Sequence, residues 1–548
     1  MRFFAKLLSV LFVASAWAGE GIEALKVDVC VYGGTSAGVI AAVAVAKAGK
    51  SVILIEPGRH LGGLSSGGLG ETDIGNKMVI GGLSRDFYKR IGKAYGKEEA
   101  WKFEPSVAEK VFDILVAENK IRVLKGYRLS AVEKNAAHIT RVFLEPAPTD
   151  DINAPITNLP QKQPIPMQSV EAAVFIDATY EGDLMAKAKV SYAVGREAVS
   201  KYNEPLNGVR ERTPSHQFGV KVDPYVKPGD AASGLIPFVQ AGDGGKPGDG
   251  DASVQAYNFR LCLTQNADNK IPFSAPPGYD AARYELMGRY LEALVAEKKP
   301  LTPRTFLKID MMPNGKTDIN NNGAVSTDFI GQNYAYPDGD YSTRNKIWHA
   351  HHDYIKGLLF FMATSERVPA ALRAEMNRWG FCKDEFKDTG GWPHQMYVRE
   401  ARRMIGRYVI TQNDCEHKTT ADDSVGMGAY NMDSHNCQRL VKNGAVRNEG
   451  DVQVGPKGPY PISYRSITPK AEECDNLIVP VCISASHIAY GSARMEPVFM
   501  VLGQSSAVAA CQAIDEKKSV QEIDIKKLQK TLQDSGQVLY YTAPGKGK

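Results

Sequence analysis

Apolar positions recur along the chain with two periods, and their alternation predicts most of its regular structure. Residues 27–32 form a strand-like run, 39–48 an Ala/Val-rich helix, and 51–55 a second strand that ends on Glu56. Residues 81–95 and 105–119 repeat apolar side chains at helical spacing, and Pro105 suits a first helical turn. Strands are predicted again at 121–124, 129–132, 139–144 and 170–176. Residues 145–168 carry six prolines and no period, which predicts a surface loop joining two antiparallel strands. Further on, 257–263 predicts a strand, 348–361 and 370–379 predict helices, and 476–482 predicts a buried strand. Residues 498–514 form an apolar helix, followed by an amphipathic tail over 520–535. Strands and helices alternating in this way predict an α/β fold with a Rossmann-like nucleotide domain.

Length and charge narrow the picture. A chain of 548 residues exceeds one ordinary core, so two domains are expected. With 66 basic and 62 acidic residues the net charge is +4, which argues against a nucleic-acid partner. Arg2 and Lys6, an apolar run over 7–13 and Ala16-Trp17-Ala18 predict a signal peptide cut after Ala18 and a secreted or periplasmic protein. No later stretch reads as long and apolar enough to cross a bilayer. The expected organisation is a leader (1–18), a first nucleotide segment (26–195), an inserted α+β substrate or cap domain (196–465), a closing segment (466–515) and a tail (516–548). Eight cysteines leave pairing open outside the cytoplasm. Cys415 and Cys437 flank one loop, Cys474 and Cys482 flank one strand, and Cys30 and Cys511 read as buried thiols. Without a C-x-x-C pair, neither zinc nor a dithiol redox centre is supported. Asp318, Asn320 and Asn322 alternate like a calcium loop but lack its terminal Glu, so no metal site is expected.

The candidate chemistry begins between the first strand and helix, at Gly33-Gly34-Thr35-Ser36-Ala37-Gly38. Strand, glycine turn, helix, strand and terminal acid make a dinucleotide fingerprint. Glycines permit the sharp turn, the helix N-terminus faces phosphate, and Glu56 is placed for a ribose hydroxyl pair. Thr35 replaces the usual middle glycine. Pro57, Arg59 and His60 then lead into Gly62-Gly63-Leu64-Ser65-Ser66-Gly67-Gly68, a stretch that NAD domains do not need. A strand ending in Asp177-Ala178-Thr179-Tyr180 follows, and Leu129, Ala178 and Thr179 are expected at the cofactor.

Together with NFRLCLT (258–264), NGKTDINNNGAVSTDFIG (314–331), YVREARRMIGRYVITQ (397–412) and SASHIAYGSARMEPVFMVLGQ (484–504), these motifs span nearly the whole mature chain. The chain resembles the bacterial FAD-dependent oxidoreductases of the glutathione-reductase-like superfamily, often secreted and sometimes labelled xanthan lyase. The resemblance implies FAD along the 62–68 loop and a closing helix whose N-terminus, near Glu496 and Val498, stabilises the reduced flavin. Covalent relatives carry a His in the glycine-rich loop; Leu64-Ser65-Ser66 stand here, so non-covalent FAD is expected, with His60 as the alternative attachment site.

Hydride transfer to a flavin needs a proton acceptor and groups that orient the substrate. His487 is the first candidate base, and Arg494 in GSAR resembles a carboxylate-binding Arg of the fumarate-reductase group. Arg399, Arg402 and Arg403 are expected on one helix face, and Asp433 with His435 forms a carboxylate–imidazole pair. The expected activity is hydride transfer between a small extracytoplasmic substrate, a carbohydrate or other hydroxyl-bearing metabolite, and FAD, with an unidentified electron acceptor. The alternatives are a saccharide lyase or isomerase without net redox, and a binding protein with a vestigial site.

Overall fold

The computed structural model of the protein describes residues 24–156 and 167–541, so the expected leader and part of the proline-rich loop lie outside the described residues. Strands β1 (Ala24–Tyr32), β2 (Val52–Glu56), β3 (Arg122–Lys125), β4 (Tyr127–Asn135), β5 (His138–Pro146) and β6 (Gln168–Asp177) lie in one sheet in the order β3-β2-β1-β6-β5-β4. The β1–β2, β2–β3 and β1–β6 pairs are parallel. The strand Leu477–Ile478 adds a further parallel neighbour to the late part of β6, opposite Phe175 and Ile176. The β4–β5 hairpin pairs antiparallel with the early part of β6, with Val142 opposite Val170. This is a mixed α/β fold with a parallel, Rossmann-like core. Its strands β1, β2 and β6 end at one edge, where open α/β sheets place their ligands.

Helix α1 (Ser36–Lys47) is buried from Ser36 to Val45, because it lies between the sheet and the helix Glu496–Glu516. The helices touch closely at Gly503, where a Cβ would lie 2.3 Å from the Ala37 carbonyl oxygen. Helices α2 (Gly82–Ala94) and α3 (Pro105–Glu118) form where their spacing predicts them, and Pro105 stands in the first turn of α3. Glu496–Glu516 is long and apolar enough to span a bilayer, which the sequence reading overlooked; it is instead a buried core helix.

Four local expectations change. Of the predicted 257–263 strand only Leu263 enters a ladder, together with Thr264 beyond it, while Asn258 and Leu261 make single bridges to Tyr397 and Ile319. Each residue there meets a different segment, so no continuous strand forms. Residues 399–403 are not helical: Arg403 and Met404 pair with Ala193 and Tyr192, and the three arginines reach different carboxylates. Only Leu477 and Ile478 of the 476–482 stretch are strand, and Pro480 lacks the N–H a ladder needs. The 483–497 turn contains a helix, His487–Ala493, whose N-cap Ser486 accepts from Ala489 N–H. All eight cysteines are free and buried, so neither Cys415–Cys437 nor Cys474–Cys482 is joined.

Candidate functional site

The glycine turn is built by several independent contacts. Gly33 has φ of 101°, and a Cβ on Gly38 would lie 1.8 Å from the Gly33 carbonyl oxygen, so both positions demand glycine. Thr35 takes the middle position because its side chain has work there. Its Oγ1 accepts from Gly38 N–H at 3.3 Å as the α1 N-cap and donates to the Ala178 carbonyl at 2.7 Å. An N-cap of this type stabilises a helix by about 1 kcal/mol. The Thr35–Ala178 bond also fastens α1 to the turn after β6.

Glu56 accepts from Gly34 N–H at 2.7 Å and Gly58 N–H at 2.6 Å, yet burial outweighs these bonds and pushes its carboxyl up to about 7. Gly33, Thr35, Glu56, Pro57 and Thr179 line one open cavity at the strand ends. Gly62 N–H donates to Gly34 O at 2.7 Å, which lays the 62–68 loop along the glycine turn. A Cβ on Gly68 would lie 2.1 Å from the Arg260 carbonyl oxygen, so that loop is held close to the 258–264 segment.

Glu496 joins these pieces. Its carboxylate accepts from Ser36 Oγ at 2.5 Å, Ser65 Oγ at 2.8 Å and Tyr180 Oη at 2.7 Å. Tyr180 Oη in turn accepts from Leu64 N–H at 2.9 Å. Burial raises the Glu496 carboxyl above its usual range, and three hydroxyl donors hold it without a cation. Val498, two residues on, is a core side chain rather than a wall of this site.

Beyond Glu496 lies a second, smaller cavity, walled by Leu64, Leu69, Asp73, Tyr397, Arg399 and Arg494. Arg494 donates to Tyr397 Oη and Asp433 Oδ2, both at 2.8 Å, and Arg399 pairs with Asp328 at 3.0 Å. Both guanidiniums are buried, and each keeps an Nε–H with no protein acceptor. Asp433 continues to His435 Nε2 at 3.5 Å, and His435 Nδ1 meets Asp328 at 2.7 Å. Burial and Arg399 oppose protonation of His435, but the two aspartates prevail and raise its pKa; the same pairing, with Arg494, holds Asp433 well below the carboxylate range.

His487 stands apart from this wall. Its Nδ1 lies 2.8 Å from Glu400 and its Nε2 2.9 Å from Ser434 Oγ, so both nitrogens are engaged in a buried network. Glu400 is also bound by Arg403, which pairs with Glu197 at 2.6 Å.

The family model described as FAD dependent oxidoreductase matches residues 28–532. The chain belongs to that family. It is a flavin redox enzyme, and its cofactor is FAD. No curated protein matches. Among solved structures, it is similar to the OxyS anhydrotetracycline hydroxylase from Streptomyces rimosus (14% identity, 37% of this chain and 38% of that one, TM-score 0.23). It is also similar to THI4 from Thermovibrio ammonificans (17% identity, 31% and 66%, TM-score 0.23). A third is a flavoprotein/dehydrogenase from Cytophaga hutchinsonii (17% identity, 30% and 42%, TM-score 0.23). The oxidoreductase thus spans between 38% and 66% of these three chains.

The residues of the oxidoreductase fit FAD. The cavity at the strand ends, the side-chain-free cradle at Gly33 and Gly38, and the Glu56 carboxylate answer the needs of a dinucleotide. Three further expected residues are engaged by protein groups. Leu129 belongs to the core beneath β4, its N–H bonded to Tyr32 Oη at 3.0 Å. Arg59 reaches Asp388 and Thr149. His60 is clamped between Glu109 at 2.7 Å and Asp388 at 2.9 Å, so both its nitrogens are occupied. It stacks on His394 at 3.9 Å, and parallel stacked rings do not aim their lone pairs at one point, which disfavours a metal with Glu109. Nothing in the sequence pattern singles out Tyr180, Asp328 or Tyr397 for the site.

Proposed function

We propose that the oxidoreductase removes hydride from a hydroxyl-bearing carbohydrate or related metabolite held in the cavity walled by Tyr397, Arg399 and Arg494. The observation that carries this reading is the pair of buried Nε–H donors without protein acceptors on one cavity wall. Buried guanidinium donors without partners are costly, so a ligand oxygen is their natural complement. The Arg399 and Arg494 guanidiniums of that wall are each matched by an aspartate behind it, Asp328 and Asp433. Such a balanced wall suits neutral hydroxyl groups.

Bound FAD supplies a two-electron hydride acceptor. The protein orients the substrate oxygen through Arg399 and Arg494 and must remove the hydroxyl proton. We assign that proton to His435 Nε2, on its looser side toward Asp433, rather than to the fully engaged His487. Asp328 fixes the imidazole through Nδ1 and stabilises the charge it gains. FAD is non-covalent, since neither His60 nitrogen is free. Residues 196–465 act as the substrate domain inserted into the nucleotide domain. The protein is exported to the periplasm or the medium, where it passes electrons to an external acceptor. Anaerobic mixing with candidate polyols tests the reading: bleaching of the flavin's visible absorption supports it, and turnover of a saccharide without bleaching indicates lyase chemistry instead.

A further inference from the structure

We propose that Cys262 and Cys382 form a disulfide that staples two walls of the site together. Their sulfurs lie 3.8 Å apart. The antiparallel ladder pairs Leu263 with Phe381 and Thr264 with Gly380, which sets Cys262 directly opposite Cys382 one step further along. Cys382 N–H donates to the Cys262 carbonyl at 3.3 Å, so the two occupy a hydrogen-bonded position. Opposed residues at such positions have Cα atoms about 5.5 Å apart, inside the span a disulfide accepts. Side-chain rotation alone therefore brings the sulfurs together. Among the described residues no other two thiols are in contact. Cys437 donates to the His435 carbonyl, Cys474 to Asn476 Oδ1, and Cys482 to the Thr179 and Tyr180 carbonyls.

The position of the cross-link gives it consequence. Cys262 lies two residues after Arg260, the residue whose carbonyl abuts Gly68 of the glycine-rich loop. Cys382 begins the stretch that reaches Tyr397 and Arg399 in the cavity wall. The bond would close a separation of 120 residues, and loop closure of that length restricts the unfolded chain strongly.

The oxidant is a small-molecule or protein disulfide. One thiolate attacks it to give a mixed disulfide, and the second cysteine then displaces the remaining thiol. One S–S bond breaks and one forms, and the two protons end on the two sulfurs of the reagent. Both cysteines are fully covered, and the Cys262 thiol is raised by its neighbour Cys382 and by burial, so the exchange requires local opening.

The test is thiol mapping of the full-length flavoprotein. It is incubated with oxidised glutathione in sub-denaturing urea, then denatured, alkylated and digested without reduction. The expected result is six alkylated cysteines and one linked peptide pair joining Cys262 to Cys382. In Cys262→Ser, Cys382 should be alkylated and no replacement link should appear. Eight alkylated cysteines in the parent, or a link that joins other positions, would overturn the proposal.

Discussion

His435 Nδ1 and Asp328 Oδ2 lie 2.7 Å apart behind the Arg399 side of the smaller cavity, although 107 residues separate them in the chain. Asp328 also pairs with Arg399, so one carboxylate holds both the candidate base and a substrate-orienting cation. Asp328→Asn should lower the His435 pKa, because the carboxylate is one of the groups that raise it. A base acts in its neutral form, so the rising limb of the pH–rate profile should move to lower pH. The profile of anaerobic flavin reduction checks this on the folded variant, and an unmoved limb would detach Asp328 from the chemistry. Breaking a buried pair of this kind also costs about 3–5 kcal/mol, so the melting temperature should fall.

Glu56→Ala removes a carboxylate that braces Gly34 and Gly58 on the edge of the larger cavity. Loss of its hydrogen bonds should weaken FAD by roughly 1–3 kcal/mol. Titrating apoprotein with FAD and following flavin fluorescence gives the affinity directly. A folded variant that binds as tightly as the parent would show that Glu56 serves the turn alone.

Acid precipitation should release the yellow colour into the supernatant. Glu109 and Asp388 occupy both nitrogens of His60, leaving neither for a bond to flavin. Colour that stays with the washed pellet would mean a covalent link.

Asp177 is fully buried at the end of β6, and burial outweighs its bonds to Thr179 and Met185, which raises its pKa to about 6. A carboxyl whose native pKa lies above the unfolded value of 3.8 binds more protons when folded. Its contribution to stability is therefore present below pH 4 and is lost as pH rises toward 6. Urea midpoints of the parent and Asp177→Asn should differ in slope over that window, with the variant flatter. Parallel slopes would indicate that Asp177 is ionised in the fold throughout.

The nucleotide cradle was legible because its parts are contiguous: a strand, a glycine turn, a helix and a terminal acid within thirty-odd residues. Even the departures have local causes, since Thr35 caps α1 and Tyr180 ties the β6 turn to Leu64 and Glu496. The polar cavity was only partly legible. Arg399, Asp433, His435 and Arg494 were singled out by type, but Asp328 and Tyr397 reach them through tertiary pairing, which leaves no period in the sequence. The Arg399–Arg403 spacing looks helical; each buried guanidinium instead follows its own carboxylate, and those ion pairs outweigh a propensity of a few tenths of a kcal/mol per residue.

The central claim, that His435 removes the substrate proton, is tested most directly by stopped-flow flavin reduction under anaerobic conditions. The comparison sets the parent against His435→Gln and His487→Gln from mildly acidic to mildly basic pH, using a polyol that bleaches the parent. The account predicts a loss of roughly 10²–10⁴-fold in His435→Gln, with its rising pH limb gone, while His487→Gln keeps both rate and limb if it retains its flavin. Flavin reduction at the parental rate and pH dependence in His435→Gln would contradict it.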